Sequence, residues 1–358
     1  MQTKTLVFIK FHNLVQGFSS NITLEPFGSY KYDWQNTESD IDVVALGSDH
    51  SREEFMDAFA DYMFAKNVEC FPVKDAFIPI LKIKLDTIDI DLAYVNLNTS
   101  YTEIDKRILA GPSISAEIIR LVPDLNKMKT LLGIIKKWAK ARDIYSNIYG
   151  YLGGIAWTIL VARILVAHPF ATIDRLLLYF FELYSHRNWQ KPLYLTEPLD
   201  TGDINSTTFS PKLSSKDRTA HMPVLTPYYM MNTTHNVTKF TFQTLKSEFK
   251  RGYKLALQNK VDMLAQPEPL VYKTFIHITV TTDLARVITT ISSRLRKLLF
   301  FLERVEGLHQ ARLIVDDKTN FKIGLKGKGN FDLTEAIGEF LYMLKEYRNQ
   351  VEIKVVKN

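Results

Sequence analysis

Phe27-Gly28-Ser29 is followed by ten residues and then by Ser39-Asp40-Ile41-Asp42-Val43-Val44-Ala45-Leu46, and this stretch decides the fold. A second acidic stretch follows, Ile88-Asp89-Ile90-Asp91-Leu92-Ala93-Tyr94-Val95. Both are apolar runs with β-branched neighbours, so both read as strands. Side chains alternate along a strand, which puts Asp40 and Asp42 on one face and Ile41 and Val43 on the other. Asp89 and Asp91 share a face in the same way. Carboxylates on core strands are costly without a compensating cation or donor. Three convergent ones make a hard oxygen site suited to Mg²⁺ or Mn²⁺. Gly28-Ser29 adds a place where a phosphate can approach the backbone closely at a helix start. The plain alternative for a lone Asp-x-Asp is a solvated strand edge.

Around this stretch the first block, residues 1–110, alternates strands and helices about one mixed sheet. The expected elements are an opening amphipathic helix, strands at 22–27, 78–85 and 88–95, and a helix over 51–66. Pro72 and Pro79 are read as turn residues. Residues 111–255 read as helical: 114–121, 125–142, an apolar helix over 150–167 and a last one over 238–258. Residues 196–221 are polar and turn-rich, as in a surface excursion. From 256 to 358 the expected order is β-α-β-β-α-β, the ferredoxin-like split unit that RNA recognition motifs also use. The fold class is therefore α/β plus α: a mixed-sheet domain, a helical central domain and a C-terminal ferredoxin-like α+β domain.

The 358 residues are 46% hydrophobic and 23% charged, ordinary for a globular protein with several cores. No apolar run reaches the roughly 20 residues of a membrane span. One cysteine, Cys70, excludes an internal disulfide and a cysteine-based zinc site. From Lys246 onward 20 Lys+Arg stand against 13 Asp+Glu, so the basic excess lies in the last third. That suits a polyanion such as RNA, with solubility as the alternative.

Gly-Ser, ten residues, Asp-x-Asp and a second acidic strand together resemble the polymerase-β-like nucleotidyltransferase signature. The run Lys136-Lys137-Trp138-Ala139-Lys140-Ala141-Arg142-Asp143-Ile144-Tyr145-Ser146-Asn147 continues through Ile148-Tyr149-Gly150-Tyr151-Leu152-Gly153-Gly154-Ile155. It resembles the central-domain signature of eukaryotic-type poly(A) polymerases, as do Glu117–Pro123, His221–Val237 and Glu248–Gly252. The resemblance covers about residues 24–255 by motif, and the remainder by architecture alone.

This resemblance implies a poly(A) polymerase acting on mRNA, adding AMP from ATP to an RNA 3′-OH and releasing pyrophosphate. Asp40 and Asp42 would hold two metals, and Asp91 would join them at the metal that activates the 3′-OH. Phe27, Gly28 and Ser29 would line the triphosphate. Lys136 and Tyr145 match phosphate contacts, while Asn147, Gly154, Ile155 and Thr234 match positions near the nucleotide. Trp138 and Trp157 read as core.

Departures from the family pattern are Ala110 where an Asn is usual and Tyr32-Asp33-Trp34-Gln35 after the Gly-Ser turn. The chain also ends at Asn358, without the family's Ser/Thr-rich tail. The expectation is a reduced enzyme acting in the cytoplasm, of viral or compact-genome origin, retaining RNA through self-association or a processivity partner. The alternatives are a terminal transferase with another NTP preference and a noncatalytic RNA-binding subunit.

Overall fold

The computed structural model describes residues 2–31, 40–74, 76, 78–196, 208–266 and 272–357. Tyr32–Gln35 and residues 197–207 of the expected excursion lie outside them. Two compact units form: Met1–Lys129 with Pro198–Thr208 and Thr226–Met231, and Thr130–Glu197 with Phe209–Leu225 and Asn232–Asn358.

The first unit runs α1 (Gln2–Phe18), β1 (Thr23–Phe27), α2 (Gly28–Lys31), β2 (Ile41–Gly47), α3 (Arg52–Ala65), β3 (Glu69–Val73), β4 (Ile80–Leu85), β5 (Ile88–Asn96) and α4 (Glu103–Leu121). Its sheet has the order β1-β2-β5-β4-β3. β2 and β5 are parallel, and the other neighbours are antiparallel. Alternation works as read: Ile41, Val43, Ile90 and Leu92 pack with Phe11, Phe55 and Phe59 of α1 and α3. Val44, Ala93 and Val95 pack on the opposite face with Ile108 of α4. Each buried Val, Ile, Leu or Phe among them contributes about 1.5–3 kcal/mol.

Capping boxes at Ser51/Glu54 and Thr102/Asp105 start α3 and α4. Arg52 joins the two, pairing with Asp105 and donating through Nε to the Tyr94 carbonyl at 3.2 Å. Pro72 stands inside β3 and not in a turn. β3 is an edge strand, where a missing N–H costs no ladder bond.

The second unit contains most of α5 (Leu125–Ala141), α6 (Gly154–Ala167), α7 (Ile173–His186), α8 (Ser215–Arg218) and α9 (Lys239–Leu257). The sequence reading had left α7 unassigned. Trp138 and Trp157 are fully buried, edge to face, as expected of core residues. Then come β6 (Thr274–Val280), α10 (Ala285–Leu302), β7 (Leu308–Val315), β8 (Asn320–Gly327), α11 (Thr334–Leu344) and β9 (Val351–Lys357). These strands form an antiparallel sheet of order β7-β8-β6-β9.

A buried charge cluster ties this unit together. Arg142 makes a two-pronged pair with Glu248, at 2.8 and 3.1 Å. Arg312 of β7 reaches the same carboxylate at 3.5 Å and donates to the Arg142 carbonyl at 2.6 Å. The Glu248–Gly252 motif is thus structural: a Cβ on Gly252 would fall 2.2 Å from the Phe181 ring, so only glycine lets α9 pack on α7 there. No described helix is long and apolar enough to cross a membrane.

Candidate active site

In the first unit the acidic site grows from strand register. Asp42 and Asp91 are direct partners on the parallel pair β2 and β5. They lie on the same sheet face as Val44, Ala93 and Val95, on which α4 packs, and both are half-buried. Asp40, one residue before β2, is exposed. Burial, together with the negative charge of Asp40 and Asp91, pushes the Asp42 carboxyl up to about 7. Asp91 is also raised, chiefly by burial, with Lys82 opposing the rise.

Gly28 packs directly against this carboxylate. Its φ is +64°, and a Cβ there would lie 2.6 Å from Asp42 Oδ2. The Gly28 N–H donates to Ser115 Oγ of α4 at 3.1 Å. Phe27 is the cross-strand partner of Asp42, and Ser29 continues the first turn of α2. Gly111 leaves room for the Phe27 ring, which a Cβ would approach to 2.6 Å. Ala110, beside it, is buried in α4, so this position presents no polar group to a ligand.

Lys82 was not singled out in the sequence. Its Nζ lies 3.0 and 3.3 Å from the two oxygens of Asp91. The signal was the two-residue loop Asp86-Thr87 between β4 and β5, which sets Lys82 opposite Asp91 and Lys84 opposite Asp89. Among the described residues, no three carboxylate or imidazole groups are gathered closely enough to hold a metal ion. The chemistry of the donor set nevertheless fits a hard divalent cation: burial and then like charge disfavour the ionised Asp42, and an ammonium already sits on Asp91 where positive charge is favoured.

In the second unit the sequence-chosen residues gather around the turn between α5 and α6. Tyr145 bridges to Leu152, closing a loop in which Ser146 and Gly150 take positive φ values of +107° and +82°. An ideal Cβ on Gly154 would lie 3.3 Å from the Tyr145 hydroxyl, and one on Gly153 the same distance from Asn147 Cβ. The two glycines therefore let α6 start hard against Tyr145 and Asn147. Gly153 caps that helix without a side-chain hydrogen bond. Asn236 Nδ2 donates to Asn147 Oδ1 at 3.0 Å and fixes the amide. Ile155 is 37% exposed at the helix start.

Lys136 is half-buried with no carboxylate partner among the described residues, and burial together with Lys140 lowers its pKa. Lys140, also missed in the sequence, lies 5.8 Å over the Tyr145 ring and so links Lys136 to this turn. Thr234, which matches a position near the nucleotide in the family, has its hydroxyl turned to its own loop. It is 2% exposed, and its Oγ1 is engaged with Val224 N–H, the Met222 carbonyl and Asn232 Oδ1. It holds the 222–234 loop together.

The profile of the poly(A) polymerase nucleotidyltransferase domain matches residues 14–110, and that of the poly(A) polymerase central domain matches residues 127–266. The chain belongs to the poly(A) polymerase family. It is 33% identical over 342 residues to poly(A) polymerase PAPa of Candida albicans, covering 86% of this chain and 61% of that protein. It is 32% identical over 318 residues to nuclear poly(A) polymerase 1 of Arabidopsis thaliana, covering 80% and 44%. The chain thus spans 61% and 44% of the lengths of these two poly(A) polymerases. Among solved structures, a cytoplasmic RNA terminal U-transferase aligns with a TM-score of 0.59 at 18% identity, over 75% of this chain and 93% of that one. The Cid1 poly(U) polymerase bound to MgATP aligns with a TM-score of 0.60 at 17% identity, over 75% and 93%. At such identities these two report a shared fold.

Proposed function

We propose that this chain is a polynucleotide adenylyltransferase that extends RNA 3′-OH ends with AMP from ATP, without a template, and releases pyrophosphate. The observation that carries it is the pairing of Asp42 with Asp91 across parallel strands, with Gly28 seated on the Asp42 carboxylate, in a chain of this family. Asp40, Asp42 and Asp91 would hold Mg²⁺ or Mn²⁺, which supplies activation of the attacking 3′-oxygen and neutralisation of charge on the leaving oxygen. Phe27, Gly28 and Ser29 line the triphosphate side, and the backbone of the turn comes close because position 28 carries no side chain.

Lys136 and Tyr145 take the phosphates. A lysine held half-buried without a carboxylate is a point charge for an anion. Asn147, Gly154 and Ile155 border the nucleotide, with Ile155 offering an apolar surface to the base. The work of these side chains is positioning and charge stabilisation, the main contributions to phosphoryl transfer.

The domain reading is 1–110 for the catalytic part, 111–255 for the part completing the ATP site, and 256–358 for a ferredoxin-like RNA-binding part. The antiparallel sheet order β7-β8-β6-β9 and the basic last third support the third assignment. The reading includes mRNA as substrate, a cytoplasmic place of action, viral or compact-genome origin, and self-association or a partner for processivity. Localisation of the tagged chain tests the place of action, since two matching relatives are named nuclear.

The deciding experiment is extension of a short 3′-OH RNA with Mg²⁺ and each NTP separately, beside an Asp40→Ala/Asp42→Ala control. A ladder with ATP, absent in the control, is expected. A ladder with UTP alone would overturn the adenylyl assignment, and no ladder from folded protein would overturn catalysis. Charge reversal at Lys326 and Lys328 should weaken RNA binding and flatten its salt dependence, and an unchanged salt slope would place the RNA elsewhere.

A further inference from the structure

A cavity of about 450 Å³ opens in the second unit between the C-terminal end of α7, α8 and α9. None of the site residues above lines it. Three cations do: Arg187 just past α7, Arg218 at the end of α8, and Lys246 on α9. No Asp or Glu belongs to the lining. Like charges gathered around one concavity repel each other, so what holds them there bears on what the cavity is for.

The guanidinium groups are held by backbone carbonyls, which orient a cation without neutralising it. Arg187 Nη2 donates to the carbonyls of Lys191 and Pro192 at 3.1 and 2.8 Å. Its Nε is buried with no hydrogen-bond partner. Arg218 donates to the carbonyls of Pro211 and Lys212 at 3.0 and 3.3 Å. Lys246 has no carboxylate partner among the described residues. Two carboxylates in the neighbourhood are engaged elsewhere: Asp217 accepts from Ser210 N–H, and Glu303 accepts from Lys239 N–H.

The same wall carries aromatic rings. His221 and Phe242 are nearly parallel, tilted by 10° with centroids 6.1 Å apart. Lys246 Nζ lies 6.0 Å from the Phe242 centroid. Fixed cations interleaved with ring faces are the recurring chemistry of single-stranded nucleic acid sites, where phosphates meet the charges and bases stack on the rings. An acidic peptide would use the cations and leave the parallel rings without a role.

We propose that this cavity is a subsite for single-stranded RNA, placing a phosphate on Arg187, Arg218 and Lys246 and a base against Phe242 and His221. It rests on the reading of RNA as substrate, and joins His221 and Lys246 to Arg187, Arg218 and Phe242 in one contact that no single motif marks.

The test uses the full chain and a labelled oligoadenylate. Binding is followed by fluorescence anisotropy over a range of salt, and extension of the same RNA is measured beside it. Arg218→Glu/Lys246→Glu should weaken binding at least about tenfold and reduce the salt slope by about 0.7, one single-strand phosphate contact's worth. Phe242→Leu should weaken binding by about fivefold or more and leave the slope unchanged. Melting curves check that each variant folds; if the charge reversal does not, Arg218→Gln/Lys246→Gln takes its place.

Wild-type binding in folded variants overturns the subsite even if the enzyme extends RNA normally. Displacement of RNA by polyglutamate, with Phe242→Leu silent, also overturns it, in favour of an acidic protein partner. Impaired binding in both variants of a protein that extends no RNA would sustain the subsite while the catalytic reading fails.

Discussion

Replacing Asp42 by Asn should stabilise the metal-free protein. The carboxyl titrates at about 7 in the fold against 3.8 in the unfolded chain. Between those values the folded state binds more protons than the unfolded one. Stability from this group is therefore complete below pH 3.8 and falls as pH rises through 7. Linkage over that gap amounts to a penalty of about 4 kcal/mol at pH 8 and about 2 kcal/mol at pH 5. Asn keeps the shape and removes the charge, so it should recover most of that penalty, and more at pH 8 than at pH 5. The assay is urea unfolding in EDTA at both pH values, wild type beside Asp42→Asn. Mg²⁺ should then raise wild-type stability at pH 8 and leave the variant unmoved, while the variant loses RNA extension. A variant less stable than wild type at pH 8, or a gain independent of pH, would refute the claim that a buried, like-charged carboxylate is held here against the interest of the fold.

Gly28→Ala should cut the extension rate at least about tenfold and lower Tm by a few degrees, because a Cβ at φ +64° is strained and would push into the Asp42 carboxylate, which lines the proposed site. Steady-state kinetics beside a melting curve check this. Lys82→Ala should lower the Mg²⁺ concentration for half-maximal extension several-fold, since the ammonium now on Asp91 stands where a cation would compete; a metal titration decides. Glu248→Gln should cost about 3–5 kcal/mol in urea unfolding, because Arg142 and Arg312 would remain buried without their shared carboxylate.

Much of the candidate site was legible because its residues lie close together along the chain. Alternation put Asp40 and Asp42 on one face and sent Ile41 and Val43 into the core, as the packing shows. Glycine at 28 and the Gly153-Gly154 pair marked close approaches that the structure contains. What could not be read depends on register and burial. Lys82 reaches Asp91 only because β4 and β5 pair as they do. Thr234 carries a hydroxyl that looks available until the loop closes around it. Pro72 looked like a turn residue because its place at the sheet edge is a property of strand order.

The sequence by itself determined which segments become strands and helices, which face of each is apolar, and where carboxylates and glycines recur at spacings that chemistry requires. These follow from local sterics and from the periodicity of side chains along a regular backbone. Only the tertiary structure decided which charges meet. Arg142, Glu248 and Arg312 are separated by 106 and 64 residues and share one buried cluster. The cations of Arg187, Arg218 and Lys246 line one cavity. The reason is that electrostatic energy depends on distance in space and on solvent exclusion, neither of which exists until the units have packed.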